Sequence, residues 1–331
     1  MANRNVPPTS GTRVPAEVMH VFVGDLFAQV GMTPERSAEM ADYLVRSDLR
    51  CVFSHGTSAA PGYAREMREG RVNPVPDVRV VEDTASATVV DGDGGLGYFP
   101  THEAMQITVR KALDTGTAAA TTTNHFHFGA AGTWSRIALE HDCIGLALSS
   151  NRFAVNPEGT ALDAVTHGPL SIAIPAGEQP AFVFDGGGIH VPYTEEGFLE
   201  SPAVFFKALG LNAAVTILGG LLAGIFKREI VESQKGWISN QGSFLAVFNV
   251  SHFMPIDEFK AEMDRYLEDV GKTNPLPGAE QALLPGGPEH AWTRENMREG
   301  IPVSDEHRER LEEAAKEFGI DAPFEGLERF G

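Results

Sequence analysis

The chain is poor in cysteine and in positive charge, and it holds one long hydrophobic run. Its 331 residues include two cysteines, Cys51 and Cys143, and neither belongs to a C-x-x-C pair. That excludes a disulfide scaffold and a thioredoxin-type motif, and it points to a reducing, cytoplasmic setting with each thiol a small buried hydrophobe. Lys and Arg number 26 against 45 Asp and Glu, a formal net charge of -19. Phosphate backbones and anionic membranes need clustered cations, so neither nucleic acid nor a membrane surface is expected as a partner. A small anionic substrate needs only one or two local cations and stays allowed. No internal repeat or low-complexity segment is present, and the opening stretch MANRNVPPTSGTRVP has no apolar core, so no signal peptide is expected. The hydrophobic run, Ala208 to Phe226, has about the 20 residues that a bilayer span needs. Asn212, several glycines and the lack of a second span favour a buried core helix with glycines at close contacts.

Hydrophobic residues at 42% and charged residues at 21% describe an ordinary globular chain. Residues 14 to 48 read as two helices, the second opened by Thr33 as N-cap with Pro34 and Glu35 in its first turn. VRVVEDTASATVVDG reads as two short strands around a turn. Then come a helix ending at Gly116, a small-residue strand TAAATTTN, a helix GTWSRIALEHD and a strand CIGLALSS. PLSIAIPA, AFVFDGGG and SFLAVFNV read as further strands, IDEFKAEMDRYLEDVG as a helix, and the Pro/Gly-rich stretch from Thr273 to Trp292 as a connector. SDEHRERLEEAAKEFG closes the chain as a helix capped by Ser304. Helices first, then mixed strands and helices, predict an α+β fold with a helical N-terminal portion.

Gly92 to Gly97 spell a literal G-x-G-x-x-G between a strand and a helix, with Asp114 near the offset of a ribose-binding acid. Asp114, however, falls at a helix end rather than a strand tip, and Pro100 is expected to separate the glycines from the first helical turn. A glycine-rich turn where backbone passes close to something else is the plainer reading.

Three loops mix polar side chains with glycines: FSHG at 53 to 56, NHFHFGAAG at 124 to 132 and FDGGG at 184 to 188. His55 alone is as well explained by a hydrogen bond to a loop carbonyl. Ser54 and His55 as a nucleophile and its base are disfavoured, because adjacent side chains seldom face each other and no G-x-S-x-G elbow is present. His125 and His127 at a strand end would share a face, as two metal ligands must. Zinc needs at least one more ligand, from His55, His167 or Asp185, and no spacing demands it, so no metal is expected. Acid/base work needs less: one histidine near neutral pKa can protonate a carbonyl oxygen as it becomes an alcohol.

These segments resemble the malate/L-lactate dehydrogenase family that does not use a Rossmann fold, which includes ureidoglycolate dehydrogenase, sulfolactate dehydrogenase and diketogulonate reductase. SDLRCVFSHGTSAAPGYAREMREGRVNPVP is similar to its D-S-H-G region, and Asn124 to Gly132 to its N-S-x-H-F-G-x-x-G signature. GPLSIAIPAG, FVFDGGG and the stretch from Phe206 follow its later motifs, and LLPGGPEHAW and the final helix its C-terminal end. The resemblance covers nearly the whole chain. It implies NAD(H) or NADP(H) as cofactor, a 2-hydroxy or 2-keto acid or a cyclic imino acid as small-molecule substrate, and a homodimer. The implied fold is a discontinuous helical domain, 1–75 with 255–331, beside a mixed, largely antiparallel sheet domain, 76–254. By the same resemblance His127 is the acid/base residue, and Ser54 and His55 line the substrate and nicotinamide pocket. Asn151, Asp185, Gly186, Gly187 and Lys207 fall at cofactor positions, and Tyr63 at the family tyrosine expected toward substrate.

The departures are specific. Phe53 replaces the aspartate before S-H-G, and Ala59 the arginine that would clamp a carboxylate. His167 and Gly168 replace a T-N pair, Gly186 to Gly188 replace M-A-T-S, and Phe206 the histidine before the lysine. Arg152 is a candidate for the missing clamp, and His125, where a serine is usual, a candidate for reading substrate, with His167 beside them. The altered cofactor positions keep an alternative open: a non-redox isomerase, lyase or cyclase using His127 and His55.

Overall fold

The computed structural model describes residues 5–187, 194–232 and 236–331, so Gly188 of the FDGGG stretch lies outside the described residues. In chain order the elements begin β1 Gly11–Val14, α1 Ala16–Ala28, α2 Pro34–Leu49, α3 Ala60–Arg68, β2 Arg79–Asp83, β3 Ala87–Asp91, α4 Tyr98–Thr115, β4 Thr117–His125, α5 Ala131–Ser135 and β5 Cys143–Asn151. They continue β6 Pro169–Ile174, β7 Phe182–Gly187, α6 Glu195–Glu200, α7 Pro202–Thr216, α8 Arg228–Glu232 and β8 Gln241–Asn249. The last are α9 Ile256–Gly271, α10 Gly287–Glu299, β9 Ile301–Val303, α11 Asp305–Phe318 and β10 Arg329–Phe330. They fall into two compact units, Met1–Val75 with Gly286–Gly331, and Pro76–Pro285.

In the smaller unit, α1 and α2 pack their apolar faces together through Met19, Phe22, Leu26, Met40 and Leu44, all buried. Thr33 caps α2 by accepting from the Arg36 N–H at 3.3 Å, and Ser304 caps α11 by accepting from the His307 N–H at 3.3 Å. A three-stranded antiparallel sheet, β10-β1-β9, was not expected from sequence. Its strands are two to four residues long, too short to show a period. The helix α10 was also missed, since it starts inside the Pro/Gly-rich connector. Gly286, at φ +98°, supplies its N-cap, and the Glu289 side chain accepts from the Gly286 N–H at 3.0 Å.

The larger unit is built on a seven-stranded sheet, order β2-β3-β4-β8-β5-β6-β7. Only the β3–β4 pair is parallel among the described strands, with α4 as its crossover. The sheet is therefore mixed and largely antiparallel, and the fold α+β rather than doubly wound. Residues 255–285 belong to this unit, not to the helical portion as expected. The reason is local: the Asp264 carboxylate on α9 accepts three backbone N–H bonds, from Gly177, Glu178 and Gln179 at 2.9, 2.8 and 3.0 Å. The Val183 N–H also donates to the Pro285 carbonyl at 3.0 Å.

The long apolar run is half core and half surface. Phe205, Ala208, Asn212 and Val215 of α7 are buried, and Gly219 and Gly220 of the π-helical turn Ile217–Leu222 pack against Ser149 and Ser150. The other side leaves Val204, Phe206, Ile217, Leu221 and Leu222 exposed. By length and composition Pro202–Leu222 could cross a membrane, and its one buried face corrects the expectation of a fully buried core helix.

Candidate active site

The strand register collects most of the candidate residues of the larger unit at one end of its sheet. His125, the last residue of β4, stands opposite Gln241 of β8, and Gln241 stands opposite Asn151, the last residue of β5. At the same end Gly187 of β7 pairs with Pro169, the first residue of β6, two residues after His167. The glycine run leaves β3 at this end too, since Asp91 pairs with Thr123.

That run builds the His127 loop. The N–H groups of Gly92, Gly94 and Gly97 donate to the carbonyls of Thr123, Asn124 and His127 at 3.0, 2.9 and 3.0 Å. Gly95 accepts from the Phe126 N–H at 2.8 Å. Backbone donors that a pyrophosphate would need are thus bonded to the chain itself, which is why a formal G-x-G-x-x-G in a strand–helix context is no dinucleotide fingerprint here. Pro100 does not separate the glycines from the helix: α4 begins at Tyr98, with Pro100 in its first turn.

The two histidines have different environments. β4 is irregular between Thr122 and His125, and Asn124 adopts φ +55°, so strand alternation ends before His127. His125 is fully buried. Its Nδ1–H donates to the Phe126 carbonyl at 2.6 Å, and its Nε2 accepts from the Thr122 hydroxyl at 2.7 Å. Thr122 in turn meets the Ser243 hydroxyl at 2.6 Å. Burial pushes the His125 imidazole down to about 4, against its bond to the Phe126 carbonyl. A neutral ring with both nitrogens bonded and no exposed surface is structural, and this corrects the expectation that His125 reads substrate.

His127 is half-buried beyond the strand end. Its Nδ1 accepts from the Gly129 N–H at 3.3 Å. A neutral imidazole whose Nδ1 accepts carries its proton on Nε2. The loop beyond is fixed by Gly129, at φ +80°, where a Cβ would lie 2.4 Å from the Tyr98 hydroxyl oxygen. Trp134 adds a bond from Nε1 to the Phe128 carbonyl at 2.9 Å. Asp185 is brought to the same loop: a Cβ on Gly132 would lie 2.4 Å from Asp185 Oδ2 and 2.8 Å from Arg136 Nη1.

Asn151 donates to the Arg152 carbonyl at 3.4 Å. Arg152 is held by backbone: Nη1 donates to the Ile225 carbonyl at 3.0 Å and Nη2 to the Ser239 carbonyl at 3.5 Å. Burial holds its guanidinium below its ordinary range. His167 and Lys207 are exposed. Asn240, which sequence reading did not single out, lies beside this group through a bond from the Arg152 N–H to its carbonyl at 2.6 Å. Its side-chain Oδ1 is buried and accepts no hydrogen bond among the described residues. No three His, Cys, Asp or Glu side chains among the described residues gather as a metal site.

In the smaller unit a 3-10 turn, Phe53–His55, carries Ser54 and His55, and their side chains do meet. Ser54 Oγ lies 2.9 Å from His55 Nδ1, contrary to the expectation from sequence. Tyr63 of α3 is buried, only 6% exposed, so its ring is core rather than the substrate contact expected.

A family model described as malate/L-lactate dehydrogenase matches residues 14–193 and 187–312. Malate dehydrogenase of Pyrococcus horikoshii is 28% identical over 349 residues, covering 93% of this chain and 96% of that protein. Hydroxycarboxylate dehydrogenase B of Escherichia coli is 27% identical over 97% of this chain and 98% of that protein. The solved structure of the Pyrococcus horikoshii malate dehydrogenase matches with a TM-score of 0.81, covering 94% of this chain and 97% of that one. With the family model spanning most of its length and the fold shared, the chain belongs to the malate/L-lactate dehydrogenase family and is an oxidoreductase.

Proposed function

We propose that this protein is an NAD(P)-dependent dehydrogenase that interconverts a 2-hydroxy acid and its 2-keto acid, or a related imino acid, with His127 as proton donor and acceptor. The observation that carries the proposal is the placement of His127. Its half-buried ring is oriented by the Gly129 N–H at Nδ1, beyond the sheet end that also carries Asn151, His167 and Gly187. When bound, the nicotinamide supplies or takes up the hydride. In oxidation the C–H electron pair leaves with that hydride, and the hydroxyl proton passes to the free ring-nitrogen lone pair of neutral His127, which becomes imidazolium. Reduction reverses both.

The residues present fit such a cofactor in two respects. Asn240 Oδ1 is a buried acceptor without a donor among the described residues, a match for an amide N–H of the nicotinamide carboxamide. Among the described residues a Cβ on Gly186 would meet only Phe184, at 3.3 Å, so the bare backbone admits close approach. Asn151, Gly186, Gly187 and Lys207 are the proposed holding residues. Asp185 is proposed to act through the loop that it abuts at Gly132. His167 is proposed on the substrate side, and Ser54 and His55 keep the substrate-facing role that their family motif implies. Arg152, tied to two carbonyls, is read as scaffold. The exposed apolar face of α7 and the π-helical turn is proposed as the contact of a homodimer. A cytoplasmic location is proposed because both cysteines are free thiols.

The names of the relatives make malate and sulfolactate the first substrates to try. The test is a titration of NADH and NADPH followed by nicotinamide fluorescence and melting temperature, then turnover of these acids. A shift with at least one dinucleotide and coupled turnover is expected. No shift at millimolar concentration would overturn the proposal in favour of the non-redox acid/base reading.

A further inference from the structure

We infer that Asp48, Thr57 and His307 form a buried hydrogen-bond chain that positions the turn bearing Ser54 and His55, making all three positioning residues for the reaction. The inference rests on the proposed function for what Ser54 and His55 do, but not for the chain itself.

Asp48 is the penultimate residue of α2, and its side chain is fully buried. Its Oδ2 accepts both from the Thr57 backbone N–H, at 3.2 Å, and from the Thr57 hydroxyl. Thr57 Oγ1 lies 3.0 Å from His307 Nε2 on α11. Segments some 250 residues apart in sequence are thus joined through one hydroxyl. The turn hangs from this point. His55 precedes Thr57 by two residues, and the Gly56 between them has no room for a side chain, since a Cβ there would fall 1.7 Å from Asp48 Oδ1. On its other side the Ser58 hydroxyl donates to the Phe53 carbonyl at 2.6 Å. The Phe53 ring packs edge-on against His307 with centroids 6.1 Å apart. The dipeptide Ser54–His55 is therefore bracketed by Phe53 and Thr57, both fixed on His307.

The direction of the chain follows the proton on Asp48. Thr57 has one hydroxyl proton and two neighbours that can take it. With Asp48 ionised, Thr57 donates to the carboxylate and accepts from His307 Nε2–H. With Asp48 protonated on Oδ2, the carboxyl donates to Thr57, which donates to His307 Nε2, and the ring proton moves to Nδ1. Burial holds the Asp48 carboxyl up at about 7 although both Thr57 bonds act to lower it, and burial with Arg310 nearby holds the His307 imidazole down at about 4. Arg310 and Glu306 face His307, and Cys51 lies near Asp48 with Arg13 and Glu295 acting on its thiol; His55 sits on the turn itself. His307 lines a cavity of about 210 Å³ together with Phe53, Ser58, Ser304, Glu306 and Arg310, so its ring can be replaced with room for adjustment.

The test compares Thr57→Val, which removes the hydroxyl at constant shape, with Thr57→Ser, which restores it, and His307→Leu, which cuts the chain at its cavity end. Two readouts are taken on the full chain: steady-state kinetics, and the NMR titration of the His55 imidazole. Thr57→Val and His307→Leu should each lower kcat about tenfold or more with KM changed less than about twofold, as loss of positioning without loss of binding requires. Both should also shift the His55 titration, and Thr57→Ser should return both readouts to wild type. An unchanged His55 titration with unchanged kcat in both chain-breaking variants overturns the inference. If wild-type protein turns over no hydroxy acid with either dinucleotide, the proposed function fails. The His55 titration alone then decides the positioning chain, and should Thr57→Val not fold, His307→Leu decides it.

Discussion

A Cβ on Gly97 would fall 2.4 Å from Nδ1 of His125, so the last residue of the glycine run and the buried histidine occupy one another's space. Phe128 closes the other side, its Cβ 2.7 Å from the same point. Gly97→Ala must therefore push the His125 ring off the Phe126 carbonyl or displace the loop. Overpacking of this kind costs about 1–3 kcal/mol, a fall of several degrees in melting temperature. The Gly97 N–H also holds the His127 carbonyl, so kcat should fall with stability. Calorimetry and steady-state kinetics on Gly97→Ala check both, and an unchanged melting temperature would show that the glycine is dispensable.

His125 and His127 should respond differently to substitution. His127→Ala removes the proposed proton carrier and should reduce kcat by roughly 10²–10⁴. His125→Ser takes away a ring that is bonded at both nitrogens and exposed to nothing, so Thr122 and the Phe126 carbonyl each lose one buried hydrogen bond. It should lower the melting temperature while the order of preference among 2-hydroxy acids stays as in wild type. Assaying both variants against a panel of such acids separates the roles. A reordered preference in His125→Ser would return that residue to the substrate.

Stability should depend on pH through Asp48 with a definite sign. Its carboxyl titrates at about 7 in the folded chain against an ordinary value of 3.8, so the folded state binds the proton more tightly. The resulting stabilisation is complete below the ordinary value and disappears as pH rises through 7, on the order of 4 kcal/mol if the whole shift is realised. Asp48→Asn lacks this slope. Its stability relative to wild type should therefore rise between pH 4.5 and 7.5, read as urea midpoints. A constant difference would mean that Asp48 titrates normally. His125 acts with the opposite sign in the larger unit: its imidazole, held down at about 4, contributes stability above its ordinary 6.5 that is lost as pH falls toward 4.

Much of this was legible in the sequence where a local rule suffices. Thr33–Pro34 and Ser304 cap the helices that their residue types predict, and the strands with branched or small residues stand where their patterns put them. His127 was separated from His125 by motif alone. What could not be read depends on distant partners. The attachment of α9 to the sheet unit rests on Asp264 meeting an N–H cluster some 85 residues earlier. The burial of His125 rests on Ser243 through Thr122, and the fixing of the Ser54–His55 turn on His307. None of these pairings leaves a period or spacing in the chain. The contact between Ser54 and His55 was misjudged for a different reason: adjacent Cβ bonds diverge, but a serine hydroxyl and an imidazole Nδ1 can still meet through their side-chain rotamers.

Arg152 is the residue whose role the structure changes most sharply in kind. As a candidate clamp it would meet a substrate carboxylate with its planar fork. In the fold that fork meets the carbonyls of Ile225 and Ser239, joining the end of β5 to the segments before and after α8. A guanidinium bound to carbonyls stabilises the backbone, and removing it takes one donor from each of two partly buried carbonyls, at a cost of roughly 1–2 kcal/mol. Arg152→Ala should therefore lower the melting temperature by a few degrees while KM for the hydroxy acid changes by less than about threefold. Arg152→Lys should not rescue the loss, because a single ammonium cannot reproduce the fork. Melting curves and KM values for the two variants decide the matter. A tenfold or greater rise in KM at unchanged melting temperature would make Arg152 the carboxylate clamp after all, and the two carbonyls only its resting place.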